Sequence, residues 1–392
     1  MSNRWGVLAV LFFVRATMAV QFQSVAAVAP LLNADFGVSL ADIGILVGLY
    51  FVPGVILALP GGAIGQWFGD KTTVIAGLLL MIAGSCMMAF SSHWIGQISG
   101  RLVSGIGGVL MAVLMTKMVA DWFVGKELST AMAIFVNSWP IGIAASLLVL
   151  PPIGVAYGSS AVDLAVAGLI AGGTGLLVIA YRSPAATTGA ARSSVRLGFH
   201  VAMAVVCAGL IWGLYNIAFA MIFSFGPSML VERGWSITAA GSTVSIVLWL
   251  SAASVPLGGF LADRTGRHET IMVLCFFLTA PLLLVASRVD TVIPVFVALG
   301  ALCGLAAGPI MSLPARVLQP ETRALGMGVF FSISYVGLVL GPSLGGTYAA
   351  WAGSAASTFD LGALVLLICP IVLLVFLRFK SGVKISPVQV PL

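Results

Sequence analysis

"GGFLADRTGRH", residues 258–268, closes one apolar stretch and opens the next. A counterpart stands 197 positions earlier as "GGAIGQWFGDK", residues 61–71. In both, glycines permit a tight turn and charged groups fall where helix ends would meet water. The same offset carries Lys126 onto Arg323 and Asp163 onto Asp360. A chain of 392 residues that repeats itself at half its length reads as a parallel internal repeat.

The composition says what solvent the repeat lives in. The chain is 60% hydrophobic and 8% charged, whereas an ordinary soluble protein is about 25% charged. Apolar runs long enough to cross about 30 Å of hydrocarbon as helices recur throughout. Twelve spans are predicted: 5–32, 40–64, 71–91, 94–120, 127–153, 160–181, 197–228, 236–262, 269–288, 291–315, 324–350 and 357–379. The first reads as a retained helix and not a signal peptide, since no processing site follows it. Forty-six glycines suit close helix packing in a bilayer. Cys86, Cys207, Cys275, Cys303 and Cys369 stand singly, as small buried apolar residues do.

Twelve spans put both termini on one side. With the N-terminus inside, fourteen of the eighteen Lys and Arg fall at the cytoplasmic face, and only Arg233 and Arg288 fall opposite. The expectation is a multi-pass protein of a cell membrane, a bacterial inner membrane, with both termini cytoplasmic. The net charge of +6 then reflects topology, with no nucleic acid implied. "RSPAATTGAARSSVR", residues 182–196, is the one long polar stretch and sits at the midpoint. It divides the chain into a six-helix bundle, 1–181, a cytoplasmic linker, 182–196, and a second bundle, 197–392.

Together these features resemble the major facilitator superfamily over nearly the whole length. The resemblance rests on "GGFLADRTGRH", on "GRLVSGIGG" from Gly100 and on "GLVLGPSLGG" from Gly337. It implies an all-α membrane fold of two pseudo-symmetric six-helix bundles that rock about a central site. It also implies a gating role for Gly259, Asp263, Arg264, Gly266 and Arg267, and for Gly62, Gly69, Asp70 and Lys71 in the first copy. That copy departs from the pattern at Gln66 and Trp67. The glycine–proline motif marks drug antiporters when it lies in helix 5; here it lies in helix 11.

Charge at depth points toward the solute. Arg15 lies about ten residues into helix 1, roughly 15 Å deep, and Arg101 about 10 Å into helix 4. All twelve acidic residues fall in loops or near helix ends on the predicted spans. In the superfamily, helices 1, 4, 7 and 10 line the cavity. Arginines there without a buried acid suit an anionic or organic-acid solute held by charge-assisted bonds. Arg101 has a second reading, as a structural group bonding carbonyls, and Arg15 could snorkel toward water. Helical geometry sets Gln21, with Thr17 and Ser24, on a different stripe from Arg15. Trp212, Tyr215 and Asn216 share one face of helix 7, as cavity wall or as core packing. Asn137, Trp139 and Tyr335 complete the candidate set.

The expectation is a monomeric secondary transporter of a small anion by alternating access. A metal carrier using Met111, Met115, His268 and Met272, a carrier of cationic or drug-like solutes, and a non-transporting receptor of the same fold are the alternatives. No cofactor motif or nucleophile–base pair appears, so enzyme activity is not expected.

Overall fold

A computed structural model of the chain describes residues 3–57, 67–123, 128–182, 197–319 and 322–382. Gly62, Gln66, Lys126 and nearly all of the predicted linker lie outside them. Among the described residues there is no strand, and twelve helices are long and apolar enough to span a bilayer. They are α1 (Arg4–Ala27), α2 (Leu40–Leu57), α3 (Asp70–Phe90) and α4 (Trp94–Trp122). Next come α5 (Leu128–Tyr157) and α6 (Ser159–Ala180), then α7 (Phe199–Glu232) and α8 (Ile237–Thr265). Last are α9 (His268–Ala286), α10 (Val292–Arg316), α11 (Arg323–Ala352) and α12 (Ser357–Ser381). Side chains such as Phe90, Ile179, Trp351 and Leu374 are exposed around the outside. That is the surface a protein dissolved in lipid presents.

Local chemistry sets the breaks. The first predicted span, 5–32, is not one helix. α1 stops at Val28, and a short helix, Ala29–Phe36, restarts with Pro30 in its first turn and ends on Gly37 at φ 64°. Proline tolerates that first turn because its missing N–H has no helical partner there, and glycine takes the left-handed exit without a Cβ clash. α2 begins on a capping box, Ser39 with Asp42. It loosens into a turn at Tyr50–Phe51, just ahead of Pro53, whose ring cannot fit the preceding turn of a regular helix. α10 tightens likewise at Gly304–Ala306.

Packing within each set of six helices relies on close backbone approach. A Cβ at Gly77 or Gly84 would collide with α4 carbonyls, and one at Gly258 with the backbone of Leu305. The sets also meet each other, chiefly in the half of the bundle away from the termini. There a Cβ at Gly44 would strike the carbonyl of Pro342, and one at Gly48 that of Val339, so α2 and α11 lie nearly backbone to backbone. Gly241 of α8 abuts Leu147 and Pro151 of α5 in the same way. Gln23 of α1 adds a 2.6 Å hydrogen bond to the carbonyl of Phe223 on α7. The distal end is shut by small residues.

Candidate functional site

Arg15 and Phe22 are seven residues apart on α1, which is nearly two full turns and therefore one stripe. Arg15 does not run out to the terminal face. Its side chain leans toward the N-terminus of α1, as helical side chains do, and Nη1 donates to the carbonyl of Phe135 on α5 at 2.9 Å. The guanidinium carbon stands 4.7 Å from the centre of the Phe135 ring. Its Nε has no acceptor, and no carboxylate of the described residues pairs with it. Phe22, on the same stripe, meets Phe223 of α7 in the other six helices at 6.1 Å between ring centres. Arg15 thus looks across the junction between the two sets.

One turn beyond Phe135, an aromatic group gathers from both sides. Phe51 lies 5.0 Å from Phe22, 5.8 Å from Trp139 and 5.7 Å from Tyr335, centre to centre. Trp139 is also 5.3 Å from Phe22, and Phe223 of α7 reaches Phe22 at 6.1 Å. Phe22, Phe51 and Phe223 are buried, while Trp139 and Tyr335 are half-buried. The phenylalanines are closed in, and Trp139 and Tyr335 are the two members of the group that are only partly covered. The loosened turn of α2 is what delivers Phe51 into this layer.

The remaining candidates are placed elsewhere. Arg101 is fully buried and gives its donors to backbone: Nε to Leu46 at 3.1 Å, Nη1 to Gln21 at 2.8 Å and Nη2 to Phe22 at 2.5 Å. Tyr50 lies under its guanidinium at 4.7 Å. The Gln21 amide nitrogen, with two hydrogens to give, lies within hydrogen-bonding distance of the Met81 carbonyl, Ser85 and Ser104, and the amide oxygen accepts from Tyr50 at 3.1 Å. Its hydrogen-bonding capacity is therefore spent inside the first six helices, away from Arg15. Asp163, one of the acids assigned to a helix end, is buried at 7% exposure.

On α7, Trp212, Tyr215, Phe219 and Phe223 continue the aromatic column at centre distances of 5.5, 6.2 and 5.5 Å. Tyr215 turns inward, its hydroxyl donating to the Cys303 carbonyl at 2.8 Å beside a small cavity among the last six helices. Asn216 bonds the Trp212 carbonyl of its own helix. Asn137 stands 200° around α5 from Phe135, where it donates across the junction to Ala252 of α8 at 2.8 Å. Met111, Met115 and Met272 are fully buried packing residues in separate halves of the chain.

The expected gate residues pair locally. Asp70 accepts from Lys117 at the end of α4 at 2.6 Å, and Lys71 donates to the carbonyls of Val178 and Tyr181. In the second copy Glu269 takes the place of Asp70, pairing with Arg316 at the end of α10 at 2.6 Å. Asp263 is exposed and, among the described residues, pairs with His268 at 3.8 Å. Arg264 lies 6.0 Å from the Phe260 ring, and Gly266 ends α8 at φ 66°. Arg267 caps the start of α9, Gly69 the start of α3, and Gly259 packs against Gly308. Each of these contacts stays within its own six helices.

Residues 11–197 and 201–389 each match the profile of the Major Facilitator Superfamily. The chain belongs to this family. Members similar to it include a putative tartrate transporter of Agrobacterium vitis, 24% identical over 91% of this chain and 90% of that one. The lysosomal dipeptide transporter MFSD1 of Danio rerio is 26% identical over 62% of this chain, which spans 58% of that protein's length. Among solved superfamily structures, an inward-facing bacterial homolog of the human lysosomal transporter Spinster aligns over 98% of this chain and 99% of its own. Its TM-score is 0.80 at 16% identity. Superfamily membership and its twelve apolar helices make the chain a multi-pass membrane protein of the superfamily's fold.

Proposed function

We propose that this transporter carries a small organic solute bearing a carboxylate, bound between two rocking six-helix halves with Arg15 as its counter-charge. The observation that carries this reading is Arg15 itself: a guanidinium at depth on the stripe of α1 that meets the other half, with an unspent Nε and no carboxylate of the described residues paired with it. An arginine costs several kcal/mol to keep at that depth, and such groups mark solute pathways when they face a cavity. Tartrate and dipeptides, the solutes named for the two relatives, differ in size and polarity but share a carboxylate. Arg101 and Gln21 then serve to hold α1, α2 and α4 together. The distribution of Lys and Arg favours termini on the cytoplasmic side, so that the shut distal end faces outward. The chain works as a monomer.

The test is uptake into proteoliposomes by protein purified as wild type and as Arg15→Gln. Wild type should take up labelled tartrate or a dipeptide saturably, and Arg15→Gln should lose at least about tenfold while reconstituting equally well. Undiminished carboxylate uptake by the variant would overturn the assignment.

A further inference from the structure

We infer that the solute is a short zwitterion, its carboxylate on Arg15 and its ammonium about one helical turn away against the partly covered rings of Trp139 and Tyr335. The inference rests on the carboxylate reading of Arg15 and adds a second subsite with the opposite charge preference.

The geometry sets both the chemistry and the spacing. The Arg15 head stands at the level of Phe135, and Trp139 is four residues further along the same helix, about 6 Å at the α-helical rise. Phe135 and Trp139 are 40° apart around α5, so both look toward α1. Across the junction, Tyr335 of the other half meets Phe51 by ring contact, and Phe51 in turn meets Trp139, so both rings belong to the level one turn beyond Arg15. A solute held between the halves at these levels would touch a cation at one end and aromatic rings at the other.

Ring faces carry the negative side of the aromatic quadrupole. They attract a cation and repel a carboxylate. A second carboxylate would find no partner among the described residues, since Arg101 is enclosed by its own carbonyls and no cation of the described residues other than Arg15 meets this group. A polyhydroxylated acid would need several hydrogen-bonding side chains, and the wall beyond Arg15 consists of Phe22, Phe51, Trp139 and Tyr335. An ammonium satisfies the rings without them. The two charges must also be separated: an α-amino acid holds both on one carbon, whereas two extended residues span about 7 Å.

Four probes separate the terms in thermal-shift titrations of the purified full chain: dialanine, N-acetyl-dialanine, dialanine amide and succinate. Dialanine should stabilise wild type at the lowest concentration. N-acetyl-dialanine, which keeps only the carboxylate, should require roughly tenfold more, and succinate more again. Dialanine amide should give no shift. Trp139→Leu should bring dialanine down to the level of N-acetyl-dialanine and leave the latter unchanged. Trp139→Phe, which keeps a ring, should fall between and covers the case in which the leucine variant does not fold.

If N-acetyl-dialanine matches dialanine, or Trp139→Leu and Trp139→Phe weaken both equally, the ammonium subsite is wrong and the carboxylate reading stands. If dialanine amide binds as well as dialanine, the carboxylate reading itself is wrong. No shift from any of the four at millimolar concentration overturns both.

Discussion

The Arg15 guanidinium donates to the Phe135 carbonyl at 2.9 Å while lying 4.7 Å from the centre of that residue's ring. One residue of α5 thus anchors the charge twice, leaving Nε free. Lysine would keep the charge but has neither the planar fork nor the stacking face. Arg15→Lys is therefore expected to retain carboxylate uptake with a Michaelis constant raised about threefold, between wild type and Arg15→Gln. Concentration-dependent uptake distinguishes the three.

Arg101 makes a contrasting prediction. Its removal leaves the carbonyls of Leu46, Gln21 and Phe22 without their donor in a buried site. Each lost bond to a charged donor costs roughly 1.5–3 kcal/mol. Arg101→Ala should thus lose at least about 3 kcal/mol of stability. The expected readout is a fall in yield and melting temperature before any change in solute preference. A variant that melts like wild type but no longer binds solute would put Arg101 in the solute site instead.

The distal seam can be wedged. Val339 and Ser343 of α11 sit against Gly48, so Gly48→Val must push α2 and α11 apart. A cysteine introduced at Ser343 should then react faster with a membrane-impermeant maleimide applied from the distal side. Gly168→Ala, where a Cβ meets nothing within 4 Å, is the matched control and should leave labelling unchanged.

The ion pairs at the terminal face predict small effects. Lys117 is 46% exposed beside Asp70, and Arg316 is 21% exposed beside Glu269. Pairs this wet are worth about 1 kcal/mol or less and are screened by salt. Asp70→Asn and Glu269→Gln should each lower the melting temperature slightly at low ionic strength, with the difference shrinking in molar salt. A loss that salt does not touch would show that packing is what the substitution disturbs.

Twelve spans were legible because their signal is an average over some twenty residues, and no single residue can spoil it. The break at Val28 was not, because Ala29–Phe36 is as apolar as the helix before it and only backbone geometry separates them. Arg15 stood out since charge at depth is rare. That Gln21 faces away from it followed from 100° per residue, and the bonds from Gln21 to Ser85 and Ser104 agree with that geometry. Phe22, Phe51 and Phe135 were missed. Twenty-two phenylalanines are spread along the chain, and a residue type common in every bilayer helix carries no mark of which copies meet across a junction. The role of Phe51 depends on a turn at Tyr50–Phe51 that shifts its direction, which helical periodicity does not encode. Arg101 looked like Arg15 in sequence, and only the three carbonyls closing around it separate the two.

α11 lies against two neighbours at once. Gly337, Gly341 and Gly345 let it nest on Gly213, Ile217 and Met221 of α7, while Gly346 and Pro342 press it onto α2. Tyr335 rides on this same rod, near its middle. A pull on the ring at mid-depth and a strain on the distal closure are then loads on a single lever, borne by the helix with a smooth glycine track on which to slide.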